Sequence, residues 1–235
     1  NYLKEVDYCS GACLLVRREL WKRLGGFDEE FAPAYAEDAD LAFRIRRCGY
    51  KTVYQPKSVV VHFEGISHGI SPSQGVKRYQ IINQQKFHRK WRSTLEAEHF
   101  NNGEHLFLAR DRSKHRKILF MVDHYVPRWD RDAGSRLIWM YLKLFVELNF
   151  KVIFVGDNFL KDEPYTSALQ QLGIEVLYSP WYTRRTIRDW LKKYGKYIHF
   201  AFLNRPHIAI KYIDLVRKYS AAKIFYFVHD LHFLR

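Results

Sequence analysis

Lys117-Ile118-Leu119-Phe120-Met121-Val122-Asp123 is a short apolar run bounded by charge. It leads to Pro127 and then to Asp132-Ala133-Gly134-Ser135-Arg136, the head of an amphipathic stretch over residues 133–148. A run so short and so uniformly apolar fits a strand buried on both faces. The alternation continues outward from it. Residues 152–155 read as a strand, 165–172 as a helix, 174–177 as a strand and 183–194 as a helix. Residues 197–202 then read as a strand, 206–219 as a helix and 223–228 as a strand. Strands alternating with helices predict crossover units and a parallel sheet covered on both faces. The strand, small-residue turn and helix start around Gly134 and Ser135 offer outward-pointing amides, hence an anion site. Equally, Asp132 is a helix cap and Gly134 a packing glycine. One glycine of the three needed does not make the dinucleotide fingerprint. Asn204-Arg205-Pro206-His207 stands at another strand-to-helix junction and is a weaker candidate.

Upstream, the pattern is different. Residues 11–16 (Gly-Ala-Cys-Leu-Leu-Val) read as a buried strand, and residues 17–24 as a short helix ended by Gly25-Gly26. A helix beginning at Asp38 or Ala39 carries Leu41, Ile45 and Cys48 on one face, and Gly49 ends it. Residues 51–54 and 58–63 read as strands on either side of Pro56. Residues 74–98 form a long basic segment with an imperfect helical stripe from Val76 to Leu95. Its Lys77, Arg78, Lys86 and Lys90 read either as the solvated face of a packing helix or as a basic surface for an anionic acceptor. Asn101-Asn102-Gly103 and residues 110–117 look like a connector.

The 235 residues carry a formal charge of +14, which attracts polyanions and anionic lipid headgroups. A hydrophobic content of 47% excludes a disordered chain. No run approaches the ~20 apolar residues that span a bilayer. The three cysteines, Cys9, Cys13 and Cys48, fit a reducing compartment and speak against a structural zinc site.

The chemistry-bearing stretch is Ala36-Glu37-Asp38-Ala39-Asp40-Leu41-Ala42-Phe43-Arg44, followed by His62 after Val59-Val60-Val61. An inverting sugar transfer needs a carboxylate to take the acceptor hydroxyl proton and positive charge to neutralise the departing diphosphate. Asp38 suits the base, Glu37 the binding of acceptor hydroxyls, and His62 a metal ligand. The competing reading makes Asp38 a helix N-cap, Asp40 a first-turn acid that complements the helix dipole, and His62 an ordinary strand-end residue.

Asp7-Tyr8-Cys9-Ser10-Gly11-Ala12, Arg17-Arg18, Gly25-Gly26-Phe27-Asp28-Glu29, Glu37-Asp38-Ala39-Asp40-Leu41, Arg44, Gly49-Tyr50 and Val61-His62 occur in order. The series resembles the second half of a family 2 glycosyltransferase, over about the first seventy residues. The resemblance implies a GT-A fold, a nucleotide-sugar donor and a glycan or lipid-linked acceptor. It implies Asp38 as catalytic base, Glu37 in the acceptor site, and Ser10, Gly11 and Ala12 near the acceptor. His62 would be a ligand of Mg or Mn. The family's Asp-x-Asp metal motif is missing from residues 1–37. Asp130-Arg131-Asp132 matches its letters but follows a different strand and is rejected. The chain is therefore expected to be a fragment without transferase activity by itself.

Asp132-Ala133-Gly134-Ser135 and His229-Asp230-Leu231-His232 more loosely resemble the N-terminal half of a family 4 GT-B glycosyltransferase. That likeness would place Gly134, Ser135 and Asp230 near a cleft. The resulting expectation is an α/β protein: residues 1–72 as the C-terminal part of a GT-A domain, 73–116 as a basic helical connector, and 117–235 as a Rossmann-like parallel-sheet GT-B N-terminal part. It would build surface polysaccharide in the cytoplasm, either free or peripherally bound to the anionic inner membrane face, with no nucleic acid. Two alternatives stay open. One is a non-catalytic polyanion- or nucleic-acid-binding module. The other keeps one live transferase, with the second domain as an acceptor-binding platform.

Overall fold

The computed structural model describes residues 1–62 and 77–228. They fall into two compact units, one over Lys4–Lys114 and one joining Asn1–Leu3 to the chain from His115 onward.

The unit over Lys4–Lys114 is mainly helical. Its elements are β1 (Lys4–Glu5), α1 (Arg18–Leu24), a 3-10 turn (Glu29–Phe31), α2 (Glu37–Arg47), β2 (Val53–Tyr54), α3 (Arg78–Glu98) and α4 (Leu106–Ala109). β1 and β2 pair antiparallel, with Lys4 opposite Tyr54 and Glu5 opposite Val53. Two expected strands do not form. Residues 11–16 make a turn and open chain, and Leu15 is 99% exposed. Residues 58–62 are likewise unpaired and exposed, and Phe63 lies outside the described residues. An apolar run becomes a strand only where a neighbour takes up its backbone groups. Among the described residues, neither run has one. Residues 74–76 also lie outside the described residues, and α3 is described from Arg78.

The other unit is the expected α/β layer structure, with a Rossmann-like parallel sheet. Its elements alternate: β3 (Ile118–Asp123), α5 (Ala133–Glu147), β4 (Lys151–Gly156), α6 (Tyr165–Gln171), β5 (Glu175–Leu177), α7 (Thr186–Tyr194), β6 (Phe200–Asn204), α8 (Pro206–Tyr219) and β7 (Lys223–Phe227). The strand order is β5-β4-β3-β6-β7, and each neighbouring pair is parallel. All six residues of β3 and all six of β4 are buried. Leu119, Met121, Val152 and Phe154 pack against Ile138, Leu142 and Leu169, while Phe120 stacks on Trp190 at 5.6 Å. β6 starts later than expected, because Gly195–Tyr197 forms a 3-10 turn. Asn204 therefore ends the strand rather than following it.

Two features seal this unit. Lys151 is buried, donating to the Tyr2 hydroxyl and pairing with Glu175 at 3.1 Å. Gly195 lies so close to α8 that a Cβ would collide with the Tyr219 carbonyl oxygen. Its backbone is ordinary helical, so the constraint is steric. Gly195→Ala is expected to cost about 1–3 kcal/mol through forced backbone movement. Chemical denaturation of the purified chain reads this directly, and an unchanged midpoint would show that the turn yields freely.

Candidate active site

Residues flanking α2 build the site. α1 ends in a left-handed cap, with φ 73° at Gly25 and 76° at Gly26, conformations that glycine adopts at least cost. A Cβ at Gly26 would lie 3.0 Å from the Trp21 ring. Arg44 of α2 locks this turn. Its Nη1 donates to the Leu24 carbonyl and its Nη2 to the Gly26 carbonyl, both at 2.7 Å, while Nε donates to Asp40 at 2.6 Å.

Asp40 does more than complement the helix dipole. It is 0% exposed. One oxygen faces Arg44; the other accepts from Trp91 Nε1 at 2.8 Å and lies 2.8 Å from Lys90 Nζ. Lys90 also donates to Asp28 at 2.6 Å. This bond and the Glu30 amide hold the Asp28 carboxyl below its usual range. Burial would lower the Lys90 ammonium, but its bonds to Asp28 and Asp40 outweigh that and raise it. One helical turn earlier, Lys86 donates to the Glu30 carbonyl at 2.7 Å. Asn83, 0% exposed, donates to the Phe31 carbonyl at 2.7 Å and the Ala34 carbonyl at 2.8 Å. The face of α3 carrying Asn83, Lys86 and Lys90 is thus a clamp on the acidic loop before α2. This corrects both readings of the basic segment for these two lysines. Sequence reasoning missed the clamp, and its only signal was the three- and four-residue spacing of polar groups on one helical face.

The clamped loop delivers two left-handed residues, Tyr35 at φ 74° and Ala36 at φ 73°. Neither is glycine, and such backbone costs on the order of 1–3 kcal/mol per residue. α2 starts immediately after them. Its N-cap is Ala36, with no side-chain cap, so Asp38 is not the N-cap. Asp38 Oδ2 instead accepts the Gly11 N–H at 2.9 Å, and Oδ1 accepts the Ala39 N–H at 2.7 Å. Glu37 is half-buried, and its Oε2 is buried without a hydrogen-bond partner among the described residues.

Ser10, Gly11 and Ala12 form one tight turn. The Ala12 amide donates to Ser10 Oγ at 3.3 Å, and the Cys13 amide to the Ser10 carbonyl at 3.3 Å. Gly11 also lines an open cleft of about 350 Å³ with Leu14, Leu15, Val16, Arg18, Trp21 and Phe27. The apolar run expected as a strand is therefore cleft wall. A Cβ at Gly11 would sit 3.7 Å from Asp38 Cβ, an ordinary contact. Gly11→Ala is thus expected to leave stability within about 0.5 kcal/mol. If an acceptor lies against this turn, the same change raises its KM; a lost fold would contradict the geometry.

The turn and α2 are further tied by Asp7. Burial would raise its carboxyl, but hydrogen bonds from His99 and Arg112 outweigh burial and hold it low. Arg46 of α2 donates to the Asp7 carbonyl.

His62 is exposed, and among the described residues no hydrogen bond or ion pair joins it to Glu37 or Asp38. Among the described residues, no three His, Cys, Asp or Glu side chains lie close enough to hold a metal ion. The three cysteines are free. Among the described residues, no helix is long and apolar enough to cross a membrane.

In the other unit, Asp132 caps α5, accepting from the Ser135 amide and hydroxyl, each at 2.7 Å. Ser135 is buried, and Gly134 is half-buried in the same turn. Asp130 accepts from the Tyr165 hydroxyl at 2.6 Å. Both acids of the Asp130-Arg131-Asp132 triplet are therefore engaged within the unit. Asp230, His229 and His232 lie outside the described residues.

Residues 1–79 match the model of the family described as glycosyltransferase like family 2. Part of this chain is a family 2-like segment. An N-acetylglucosaminyl-diphospho-decaprenol L-rhamnosyltransferase of Mycobacterium tuberculosis H37Rv is 41% identical over 70 residues, covering 30% of this chain and 22% of the relative. Rhamnosyltransferase WbbL of Escherichia coli K12 is 36% identical over 58 residues, 25% of this chain and 22% of the relative. The O-antigen biosynthesis protein RfbC of Myxococcus xanthus is 34% identical over 58 residues, 25% of this chain and 4% of the relative. The chain thus spans about a fifth of the first two relatives' length. No solved structure matches it. Nothing in these comparisons supports the expected fusion to a family 4 GT-B half.

Proposed function

We propose that the family 2-like segment supplies the acceptor side of an inverting sugar transfer in surface-glycan synthesis. The observation that carries the reading is the bond from the Gly11 amide to Asp38. It places a carboxylate beside the cleft wall, in a segment similar to family 2 sugar transferases. Asp38 takes the proton of an acceptor hydroxyl while that oxygen attacks the anomeric carbon. The carbon–oxygen bond to the nucleotide diphosphate breaks, and the diphosphate leaves with the bonding pair. Glu37, half-buried one residue before Asp38, receives acceptor hydroxyls. Two of the relatives are rhamnosyltransferases, one acting on a diphospho-polyprenol-linked sugar, which points to a nucleotide-activated deoxyhexose donor and a lipid-linked glycan acceptor.

The test is transfer from a panel of nucleotide-sugars to polyprenyl-diphosphate-linked N-acetylglucosamine by the full-length natural polypeptide. Product with a deoxyhexose donor supports the reading; no product with any donor removes it. The polyanion-binding alternative drew on the segment from Lys77 to Arg92. Its Lys86 and Lys90 are bound to the loop before α2, which weakens that support.

A further inference from the structure

We propose that the C-terminal edge of the parallel sheet carries a second site, for a small phosphoanion, formed by Arg184 and Lys211. Asp157 directly follows β4, and its amide donates to the Asp123 carbonyl at the end of β3 at 2.8 Å. Oδ1 accepts from the Tyr212 hydroxyl at 2.9 Å. Oδ2 accepts from two cations at once, Arg184 Nη2 at 3.0 Å and Lys211 Nζ at 2.6 Å. The Asp157 side chain is 7% exposed, whereas those of Arg184 and Lys211 are 69% and 38% exposed.

The electrostatics decide what this arrangement attracts. Two cations touch one oxygen, and a single carboxylate compensates only one of them. The residual positive charge faces solvent, on groups that are both bonded to Asp157. A second anion relieves the repulsion between the guanidinium and the ammonium. Asp157 itself stays ionised. Burial would raise it, but the bonds from Lys211 and Tyr212 and the charge of Arg184 outweigh burial and hold it low.

The place is right for a ligand. Open α/β sheets bind ligands beyond the carboxyl ends of their strands, where strand order reverses. Here the order reverses at β3, the strand next to β4. Asp123 at the end of β3 holds Arg205 Nε at 2.9 Å, which brings a third cation to the same sheet edge. A phosphoryl group suits Arg and Lys together. It offers several strong acceptor oxygens in a tetrahedral array, so it can accept from the planar guanidinium and the ammonium simultaneously. The inference is independent of the transferase reading of residues 1–79.

Calorimetric titration of the 235-residue chain at low salt tests it, with inorganic phosphate and pyrophosphate as probes and acetate as the carboxylate arm. The expected result is one saturable, salt-sensitive site for pyrophosphate. Its affinity should fall about tenfold or more in Arg184→Gln and in Lys211→Met. It should stay unchanged in Lys192→Met/Lys193→Met, which removes two exposed charges of α7. Arg184 is exposed enough that its replacement leaves the fold intact, which a circular dichroism melt checks. No saturable binding by the wild type, unchanged affinity in Arg184→Gln, an equal loss in the α7 control, or acetate binding as tightly as pyrophosphate would each overturn the proposal.

Discussion

Asp38→Asn is expected to lower sugar transfer by about 10²–10⁴-fold, the usual contribution of a positioned general base. The amide keeps the shape of the carboxylate, and its oxygen still accepts the Gly11 N–H that fixes the turn. It loses the oxygen that accepts the Ala39 N–H and, with the charge, the ability to take a proton. The expected signature is therefore a fall in kcat with donor binding retained, read by titration of the nucleotide-sugar against the variant. Stability should change by no more than about 1 kcal/mol, the net value of one exposed hydrogen bond. Unchanged turnover would reduce Asp38 to a structural acceptor for Gly11 and move the base elsewhere. Gly11→Ala sharpens the comparison. It keeps the carboxylate and the amide donor, so it should alter acceptor KM and leave the proton transfer intact.

The two units differ in how far their sequences disclose them. β3 and β4 are buried on both faces, so residues 118–122 and 152–155 are uniformly apolar, bounded by charged residues or glycine. That pattern marks a central parallel strand. The order β5-β4-β3-β6-β7 is not in the alternation, because crossover direction leaves no mark on residue identity. Residues 11–16 carry the same kind of run, yet they line a cleft. Composition does not distinguish a strand from a wall, since the difference lies in whether another backbone is alongside. Asp38 was ambiguous for a related reason. Asp is a favoured N-cap, and only the left-handed backbone of Ala36, a residue that seldom adopts it, moves the cap two residues ahead of Asp38. The α3 clamp was invisible because three of its acceptors are the main-chain carbonyls of Glu30, Phe31 and Ala34. Every residue owns such a carbonyl, so sequence carries no sign of which one is used. Lys86 therefore reads as solvated charge until its carbonyl partner is seen, and Lys90 does so because its carboxylate partners, Asp28 and Asp40, lie fifty or more residues away.

Asp40→Ala is expected to destabilise the Lys4–Lys114 unit by about 3–5 kcal/mol, the range seen when one partner of a buried ionic network is removed. The carboxylate is fully buried and serves three donors. Its removal orphans the Trp91 indole N–H, which is buried, and leaves Arg44 and Lys90 without their shared counter-charge. Lys90 keeps Asp28, so its loss is partial. Arg44 keeps the Leu24 and Gly26 carbonyls but loses the group that orients its guanidinium toward them. The cost should therefore come mainly from Trp91 and Arg44. A double-mutant cycle separates the contributions: Trp91→Phe alone should cost about 1 kcal/mol for its bond, and its effect should largely vanish in the Asp40→Ala background. Denaturant unfolding of the chain reads both. Asp40→Asn, which still accepts from Trp91, should fall between wild type and Asp40→Ala. If instead Asp40→Ala unfolds within about 0.5 kcal/mol of wild type, desolvating the carboxylate already offsets its bonds, and the loop before α2 is held by Asn83, Lys86 and the Lys90–Asp28 pair. In that case Asn83→Ala, which strands the Phe31 and Ala34 carbonyls, becomes the substitution that releases the loop carrying Glu37 and Asp38.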